Sequence, residues 1–281
     1  METLWGTLAG AIVGLGAGRL WAAYVLEAPA SRLLRTNVSG VQVPAVLGLA
    51  LAAAGLCGLG VVLALDQALE IVSVREALAV AVLLVIAGAA GLADDLRGDE
   101  SDRGFAGHLG AALRGRVTGG LIKIAGVGAA SLFAGLLVAE GLDVLTCALL
   151  VALAANFVNL LDRAPGRALK FFLLVAVPLV VLGPGGWAVA ASGVAGAGAG
   201  ILPMDLRERG MLGDAGANAL GAILGLGLYV ALPTGGRVAA VVVLAVLTLA
   251  SERWSFSSVI ERVPWLRAAD RWGRSVERGP T

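Results

Sequence analysis

The sequence predicts an all-α polytopic membrane protein with about nine transmembrane helices. Its composition points to this class, because 58% of the 281 residues are hydrophobic and only 15% are charged. The apolar runs are also long enough, since a helix needs about 20 residues to cross the hydrocarbon core of a bilayer. The predicted spans are residues 3–26, 42–65, 74–93, 118–138, 142–161, 168–184, 186–203, 213–232 and 236–251. A lipid bilayer is therefore the expected surrounding.

Taken in order, the spans carry few features that argue against this assignment. The first continues past Arg19 without an obvious cleavage site, so we expect a retained helix and no cleaved signal peptide. Glycine and alanine recur in several spans, most densely at 195–200, and small residues let transmembrane helices approach closely. Cys57 and Cys147 both lie within apolar spans, where inert packing is their expected role.

Basic residues predict the orientation, because Lys and Arg are retained on the cytoplasmic side of a membrane. One set of loops holds most of the arginines, including Arg32, Arg35, Arg97, Arg163, Arg207, Arg209 and those from Arg253 onward. The opposite loops hold little beyond Arg75 and Arg237. Nine spans then place the N-terminus outside and the C-terminus in the cytoplasm. Since the net charge is only +1, nothing suggests nucleic acid as a partner.

Three polar clusters fall at span ends on the predicted cytoplasmic side. They comprise Asp94 and Asp95 in Gly-Leu-Ala-Asp-Asp (91–95), Asn156, Asn159 and Asp162 in Asn-Phe-Val-Asn-Leu-Leu-Asp (156–162), and Asp214 in Met-Leu-Gly-Asp-Ala-Gly (211–216). An unpaired carboxylate beside lipid is costly, so three clusters on one face predict a functional site. Paired carboxylates suit a hard cation such as Mg²⁺, which usually adds waters and substrate phosphates.

Each cluster also has a structural interpretation. Aspartates at helix ends can act as caps, and Asp214 in a first helical turn would be favoured by the helix dipole. The asparagines, spaced three residues apart on one helical face, could form interhelical hydrogen bonds.

Several cations and one histidine lie near these clusters. Lys123 follows Thr-Gly-Gly-Leu-Ile at the start of the fourth span, and Arg167 and Lys170 begin the sixth. They could contact phosphate oxygens, although Arg167 and Lys170 could equally serve to set the topology. His108, the only histidine, could contact phosphate or act as an acid or base near neutral pH, or simply pack within its loop.

In order and spacing, these motifs resemble the polyprenyl-phosphate N-acetylhexosamine-1-phosphate transferase family. Residues 35–44, Arg-Thr-Asn-Val-Ser-Gly-Val-Gln-Val-Pro, are similar to the segment that enters the family's second helix. The resemblance implies Mg²⁺-dependent, or Mn²⁺-dependent, transfer of a sugar-1-phosphate from a UDP-sugar to a polyprenyl phosphate, with release of UMP. It further implies a homodimer in a bacterial plasma membrane, a cytoplasmic active face and a role in cell-envelope glycan synthesis.

The resemblance also implies roles for individual residues. Asp214 would be the main metal ligand, and Asp94 and Asp95 would assist with the metal or the lipid phosphate. Asn159 and Asp162, with Asn156 in the same motif, would face the nucleotide-sugar. Residues 1–251 would then form a transmembrane catalytic domain. The alternation of Trp and Arg in residues 252–281 independently predicts a cytoplasmic, amphipathic tail at the headgroups of anionic lipid, although some of its arginines could instead cover the nucleotide site.

The chain departs from the family where substrate is recognised. Pro165 replaces a second aspartate associated with the nucleotide, Met211 replaces an aromatic residue, and no His-rich segment follows the last span. These departures favour a divergent subgroup and leave the nucleotide of its donor open. They also leave open a non-catalytic polyprenyl-phosphate carrier on the same fold. An intramembrane prenyltransferase using 94–99 is a further alternative, but that class pairs two aspartate-rich motifs.

Overall fold

The protein is a bundle of long apolar helices with one short β-hairpin. The computed structural model describes residues 2–29, 31–37, 39–69, 72–97, 110, 114, 118–183 and 185–274. Its helices are α1 Glu2–Glu27, α2 Leu47–Leu69, α3 Val74–Val82, α4 Gly88–Arg97, α5 Gly119–Val138, α6 Asp143–Leu161, α7 Arg167–Leu182, α8 Gly185–Leu206, α9 Gly213–Ala231, α10 Thr234–Ser251, α11 Phe256–Arg262 and α12 Pro264–Arg271. The strands are β1 Leu34–Thr36 and β2 Gln42–Pro44.

The prediction of an all-α polytopic membrane protein is confirmed. Across the described ranges, eight helical segments are long and apolar enough to cross a membrane. One of them runs unbroken through α3, a π-helical turn at Leu83–Ala87 and α4. The remaining predicted span, 168–184, forms the shorter helix α7, which has 16 residues and contains Pro178.

Helix α7 nevertheless connects the two ends of the bundle. At its start, Gly166 donates its backbone N–H to Asp205 in the last turn of α8, at 2.9 Å. Past its end, a Cβ added at Gly186 would lie 2.3 Å from the carboxylate of Glu76, near the start of α3. The chain therefore changes ends between residues 166 and 186.

Local capping fixes where several helices begin. Ser73 and Glu76 form a reciprocal capping box at the start of α3, in which the Ser73 side chain accepts from the Glu76 backbone. At the start of α5, the Thr118 hydroxyl accepts the Leu121 N–H at 3.1 Å. Such side chains satisfy backbone donors that a helix leaves unpaired at its first turn.

Helices α8 and α9 form the centre of the bundle, because most of their residues are buried. Glycines let neighbouring helices approach α8 closely: a Cβ at Gly14 of α1 would lie 2.0 Å from the Gly193 carbonyl oxygen. Helix α2 also approaches Gly193 closely, since a Cβ added at Gly58 of α2 would lie 2.5 Å from the Cα of Gly193. The glycines that recur in the sequence thus lie where neighbouring helices contact each other.

Two predicted boundaries were wrong. The span 42–65 does not begin at 42, because Gln42–Pro44 pairs antiparallel with Leu34–Thr36 and the helix starts at Leu47. Proline has no backbone N–H, which makes Pro44 a poor helix residue but acceptable at the end of a short strand. The span 186–203 is also longer, because α8 continues through Pro203 to Leu206 and includes Asp205.

Candidate functional site

The first and third polar clusters meet at one end of the bundle, around the ammonium group of Lys123. Its Nζ lies 2.7 Å from Asp94 Oδ2 and 2.6 Å from Asp214 Oδ2. The three residues come from the last turn of α4, the start of α5 and the first turn of α9. Their side chains are between 21% and 28% exposed, so this ion-paired group is sheltered but open to solvent.

Asp95 has a different role from its neighbour Asp94. Its Oδ1 accepts the Asp214 backbone N–H at 3.2 Å, and its Oδ2 accepts the Ala215 N–H at 3.1 Å. The residue before α9, Leu212, supplies no side-chain cap, so a carboxylate from α4 caps α9 instead. A carboxylate at a helix N-terminus is also favoured by the helix dipole. Asp95 thereby positions the backbone that carries Asp214.

The segment that leads into Asp214 is held by main-chain hydrogen bonds from the β-hairpin side. Met211 donates its N–H to the Pro44 carbonyl at 2.8 Å and accepts from the Leu47 N–H at 3.1 Å. Leu212 accepts from the Gly48 N–H at 3.0 Å. The sequence motifs at 35–44 and 211–216 are therefore adjacent, and the hairpin anchors the turn before α9.

Glycines allow the site helices to approach each other. A Cβ at Gly91 would lie 2.2 Å from the Asp214 carbonyl oxygen, and a Cβ at Gly119 would lie 2.4 Å from Asp94 Oδ1. Gly213 adopts a φ of 70°, which non-glycine residues rarely adopt. The spacing of the two carboxylates thus depends on positions that exclude a side chain.

The second cluster divides between structural and cleft-lining positions. Asn156 donates from Nδ2 to the Thr248 hydroxyl of α10 at 3.2 Å. This bond agrees with the structural interpretation of the asparagines as partners in interhelical hydrogen bonds. The buried Oδ1 of Asn159 has no hydrogen-bond partner among the described residues. Asp162 follows the last residue of α6 and lines a cleft together with Pro165, Asp205 and other residues of the site.

This cleft is strongly acidic. Burial raises the pKa of Asp162 well above its usual 3.8, and the negative charges of Asp205, Asp214 and Asp95 raise it further. Asp162 is therefore the member of the second cluster that lies at the same end of the bundle as Asp95 and Asp214. Met211, singled out in the sequence as a replacement for an aromatic residue, also lines the cleft.

Asp205 is a site residue that the sequence interpretation missed. The sequence analysis does not single it out, yet its side chain is buried and accepts the Gly166 N–H. The available signal was its position, since it follows directly on an apolar run while Arg207, Glu208 and Arg209 come after it. Glu208 instead lies outside the helix and bonds to Asn37 and Ser39 near the hairpin.

Arg167 and Lys170 contact the C-terminal segment of the protein. Arg167 donates from Nε and Nη2 to the two carboxylate oxygens of Asp270, at 2.8 and 3.0 Å, and from Nη1 to Ser257. Lys170 donates to the backbone carbonyls of Ala269, Asp270 and Trp272. These side chains therefore dock the tail in the described structure, and their binding of substrate stays a prediction.

The donor set around Lys123 fits a divalent cation in part. Within the described ranges, no group of three or more His, Cys, Asp or Glu side chains is arranged to hold a metal ion. However, Mg²⁺ is commonly bound by only one or two carboxylates, with water and substrate phosphate as its other ligands. Asp94 and Asp214 already converge on a single positive group, the Lys123 ammonium. Two carboxylates aimed at one point are compatible with such a cation once that ammonium moves aside.

His108 and Asp99, the last residue of the 94–99 segment, lie outside the described residues. Neither the comparison with models of known protein families nor the search of curated proteins returned a match for this chain.

Proposed function

We propose that this protein transfers a sugar-1-phosphate from a nucleotide-sugar to a polyprenyl phosphate, in a reaction that depends on Mg²⁺ or Mn²⁺. The observation that carries the proposal is the convergence of Asp94 and Asp214 on one cationic group at the end of a membrane bundle. A lipid phosphate can reach such a position from the bilayer, and a nucleotide-sugar can reach it from water. The order and spacing of the three motifs add the family resemblance to this geometric argument.

The proposal includes a topology with nine crossings, an external N-terminus and a cytoplasmic C-terminus. The contacts of Gly166 and Gly186 at opposite ends of the bundle support α7 as the ninth crossing. The basic loops support a cytoplasmic site, because Arg35, Arg163 and Arg209 belong to the same end as Asp214, whereas Arg75 and Arg237 lie at the other. A bacterial plasma membrane and a homodimer are proposed on the resemblance alone.

In this proposal Asp214 and Asp94 hold the cation. When bound, a divalent cation acts as a Lewis acid that neutralises charge on the phosphates of the donor. With a cation on the carboxylates, the Lys123 ammonium would be displaced from them and would donate hydrogen bonds to phosphate oxygens. Asp95 keeps the first turn of α9 in place through its bonds to the Asp214 and Ala215 backbone.

The proposed chemistry is an in-line displacement at phosphorus. An oxygen of the polyprenyl phosphate forms a bond to the phosphorus that bears the sugar, and the bond from that phosphorus to the nucleotide breaks. Nucleoside monophosphate leaves with the electron pair. A lipid phosphate is already largely ionised near neutral pH, so the protein's main contribution is to position the two phosphates.

The nucleotide-sugar is assigned to the cleft beside Asp162. Met211 and Pro165 line it, and Asp162 is the member of the second cluster that reaches it. UDP is proposed as the nucleotide by resemblance, and replacement of the family's second aspartate by Pro165 makes CDP-activated sugars the natural second group to test. The product would serve cell-envelope glycan synthesis.

A second candidate is a polyprenyl-phosphate carrier without transfer activity. The observation that favours it is the Lys123 bridge, because an ammonium that neutralises both carboxylates occupies the position of a metal ion. In a carrier, Lys123 would stay between Asp94 and Asp214 and contact the lipid phosphate directly. The two candidates therefore differ in whether a divalent cation displaces the lysine.

The test is release of nucleoside monophosphate by purified, detergent-solubilised protein supplied with undecaprenyl phosphate, Mg²⁺ and a panel of UDP- and CDP-sugars. We expect release with one donor, and its loss with EDTA or with Asp214→Asn. The control is Asp143→Asn, which breaks a comparable pair with Arg237 (2.9 Å) at the far end of the bundle. No release with any donor, while polyprenyl phosphate still binds, would favour the carrier.

A further inference from the structure

The chain that follows α10 presents large aromatic side chains to the outside. We define the tail as residues 252–274, which contain α11 and α12. Trp254, Trp265 and Trp272 in this segment are 64%, 70% and 75% exposed. Tryptophans so exposed are costly against bulk water but are common at the interface of a membrane, where an amphipathic ring meets the headgroups. The tail directly follows a membrane-spanning helix, which places it near that interface.

Helix α12 separates its aromatic, basic and buried positions around the axis. Trp265 lies in α12 and Trp272 directly follows its last residue, so these two side chains project within about 20° of each other around the helix axis. Arg267 and Arg271 lie about 40° apart from each other and roughly 100° to 160° away from the tryptophans. Asp270 lies nearly opposite the tryptophans, and its side chain is buried against the bundle. The side of the helix that is turned away from the bundle thus carries the tryptophans, and the arginines lie at the edge of that side.

The tail is fixed to the bundle by a buried clamp, which we define as Arg167, Asp270 and Arg274. The two-pronged bond from Arg167 to Asp270 is joined by an ion pair from Arg274 to Asp270 at 2.5 Å. Arg274 also donates to the Pro165 carbonyl at 3.1 Å. Pro165 lines the cleft of the candidate site, so the tail directly contacts the loop at its edge. A rigid attachment gives the outward surface a fixed orientation.

The arginines on the outer surface are weakly engaged within the protein. Arg271 pairs with Glu261 at 3.0 Å, but both side chains are largely exposed, and such surface pairs contribute little. The nearest described partner of Arg267 is the Glu261 carbonyl at 3.5 Å. Both guanidinium groups can therefore exchange these contacts for phosphate oxygens, which bind guanidinium more strongly.

We propose that the outward surface of the tail binds the anionic phospholipid headgroups of the leaflet on which the candidate site opens. The arginines match the negative charge of these lipids, and the tryptophans insert at the depth of the headgroups. Through the clamp, this binding holds the loop at 163–166 in place beside the cleft. The proposal rests on the tail's own contacts and does not depend on the transfer reaction.

The experiment is hydrogen exchange of the full-length protein, read out by mass spectrometry on peptides covering 256–272. The protein is placed in nanodiscs of phosphatidylcholine alone and of phosphatidylcholine with phosphatidylglycerol. We expect slower exchange of these peptides with phosphatidylglycerol, and a weakening of the effect in high salt, which screens exposed charges. Because each arginine near an anionic surface contributes about fivefold in binding, Arg267→Gln with Arg271→Gln should remove most of the difference.

Arg75→Gln is the matched control, since Arg75 is an exposed arginine at the opposite end of the bundle. It should leave the lipid dependence of the 256–272 peptides unchanged. Trp265→Ala with Trp272→Ala provides a second variant set, which removes the aromatic contribution without changing charge. Equal exchange in the two lipid mixtures, or an undiminished difference in the double arginine variant, would overturn the proposal. Neither readout requires catalytic activity.

Discussion

Asp95 caps the helix that carries Asp214, although 119 residues separate the two positions in the chain. Its two oxygens accept the Asp214 and Ala215 N–H groups, while the neighbouring Asp94 points at Lys123. Asp95 therefore positions the backbone of the site, whereas the Asp94 side chain lies in the site itself. This division gives the two residues different expected mutant behaviour.

Asp95→Ala should lower the stability of the protein as well as its activity. Loss of a helix cap costs about 1–2 kcal/mol, and the freed N–H groups beside Asp214 lose their acceptor. The melting temperature in detergent should fall by several degrees, whereas Asp94→Ala should reduce activity with a smaller change in melting temperature. Equal destabilisation by the two substitutions would contradict the separate roles.

Lys123→Gln should strengthen the binding of a divalent cation in the absence of substrate. The ammonium competes with the cation for Asp94 and Asp214, so its removal should tighten Mn²⁺ binding about tenfold, the equivalent of about 1.4 kcal/mol. The measurement is titration of free Mn²⁺ by electron paramagnetic resonance. Lys170→Gln, which changes a lysine that contacts the tail, is the control. Unchanged Mn²⁺ affinity would argue for the carrier.

Gly91→Ala should disrupt the site while a matched glycine tolerates the same change. The added methyl would lie 2.2 Å from the Asp214 carbonyl oxygen, so α4 and α9 must separate, at a cost of about 1–3 kcal/mol. Gly128→Ala meets no atom within 4 Å and should leave stability unchanged or slightly higher. Thermal unfolding and transfer activity of both variants test this contrast. Intact activity in Gly91→Ala would refute the close approach.

Stability should depend on pH through Asp162. Because the pKa of Asp162 is raised above 3.8 in the folded protein, the folded state binds this proton more tightly than the unfolded state. The resulting stabilisation is fully present below pH 3.8, the ordinary pKa of the group, and is lost as the pH rises through the raised pKa. Asp162→Asn should therefore flatten the decline of melting temperature as the pH rises above 3.8. The exposed Glu140, changed to Gln, is the control; an identical decline in wild type and Asp162→Asn would exclude this origin.

The clamp should show strong coupling between its members. Asp270→Asn or Arg167→Gln alone leaves a buried charge without its partner, which costs about 3–5 kcal/mol, whereas the double substitution should cost less than the sum. Burial by itself would raise the pKa of Asp270, but the hydrogen bonds and charges of Arg167 and Arg274 lower it. The stabilisation is therefore present above pH 3.8 and is lost as the pH falls through the lowered pKa.

Trypsin cleavage within 256–272 measures whether the tail stays docked. Either single substitution at the clamp should make the tail susceptible to cleavage at lower protease concentration. Arg262→Gln, which changes an exposed arginine of α11, should not. Additive effects of Asp270→Asn and Arg167→Gln would mean that the two side chains act independently.

The sequence by itself determined the membrane class, most of the helices, and Asp94, Lys123 and Asp214 as residues of one site. Hydrophobic length is a local property, so apolar runs could be assigned to helices without knowledge of their neighbours. The short strand at Gln42–Pro44 was missed because a strand depends on its pairing partner, here Leu34–Thr36.

Only the tertiary structure decided what each polar residue does. Asp94 and Asp95 are adjacent and chemically identical, yet one pairs with Lys123 and the other caps α9, because the partners come from distant parts of the chain. Asp205 is buried because the segment before α7 packs against the end of α8, where Gly166 donates its N–H to the Asp205 carboxylate. Hydrogen bonds and ion pairs are directional and short-ranged, so their assignment requires the relative placement of helices that sequence periodicity leaves undetermined.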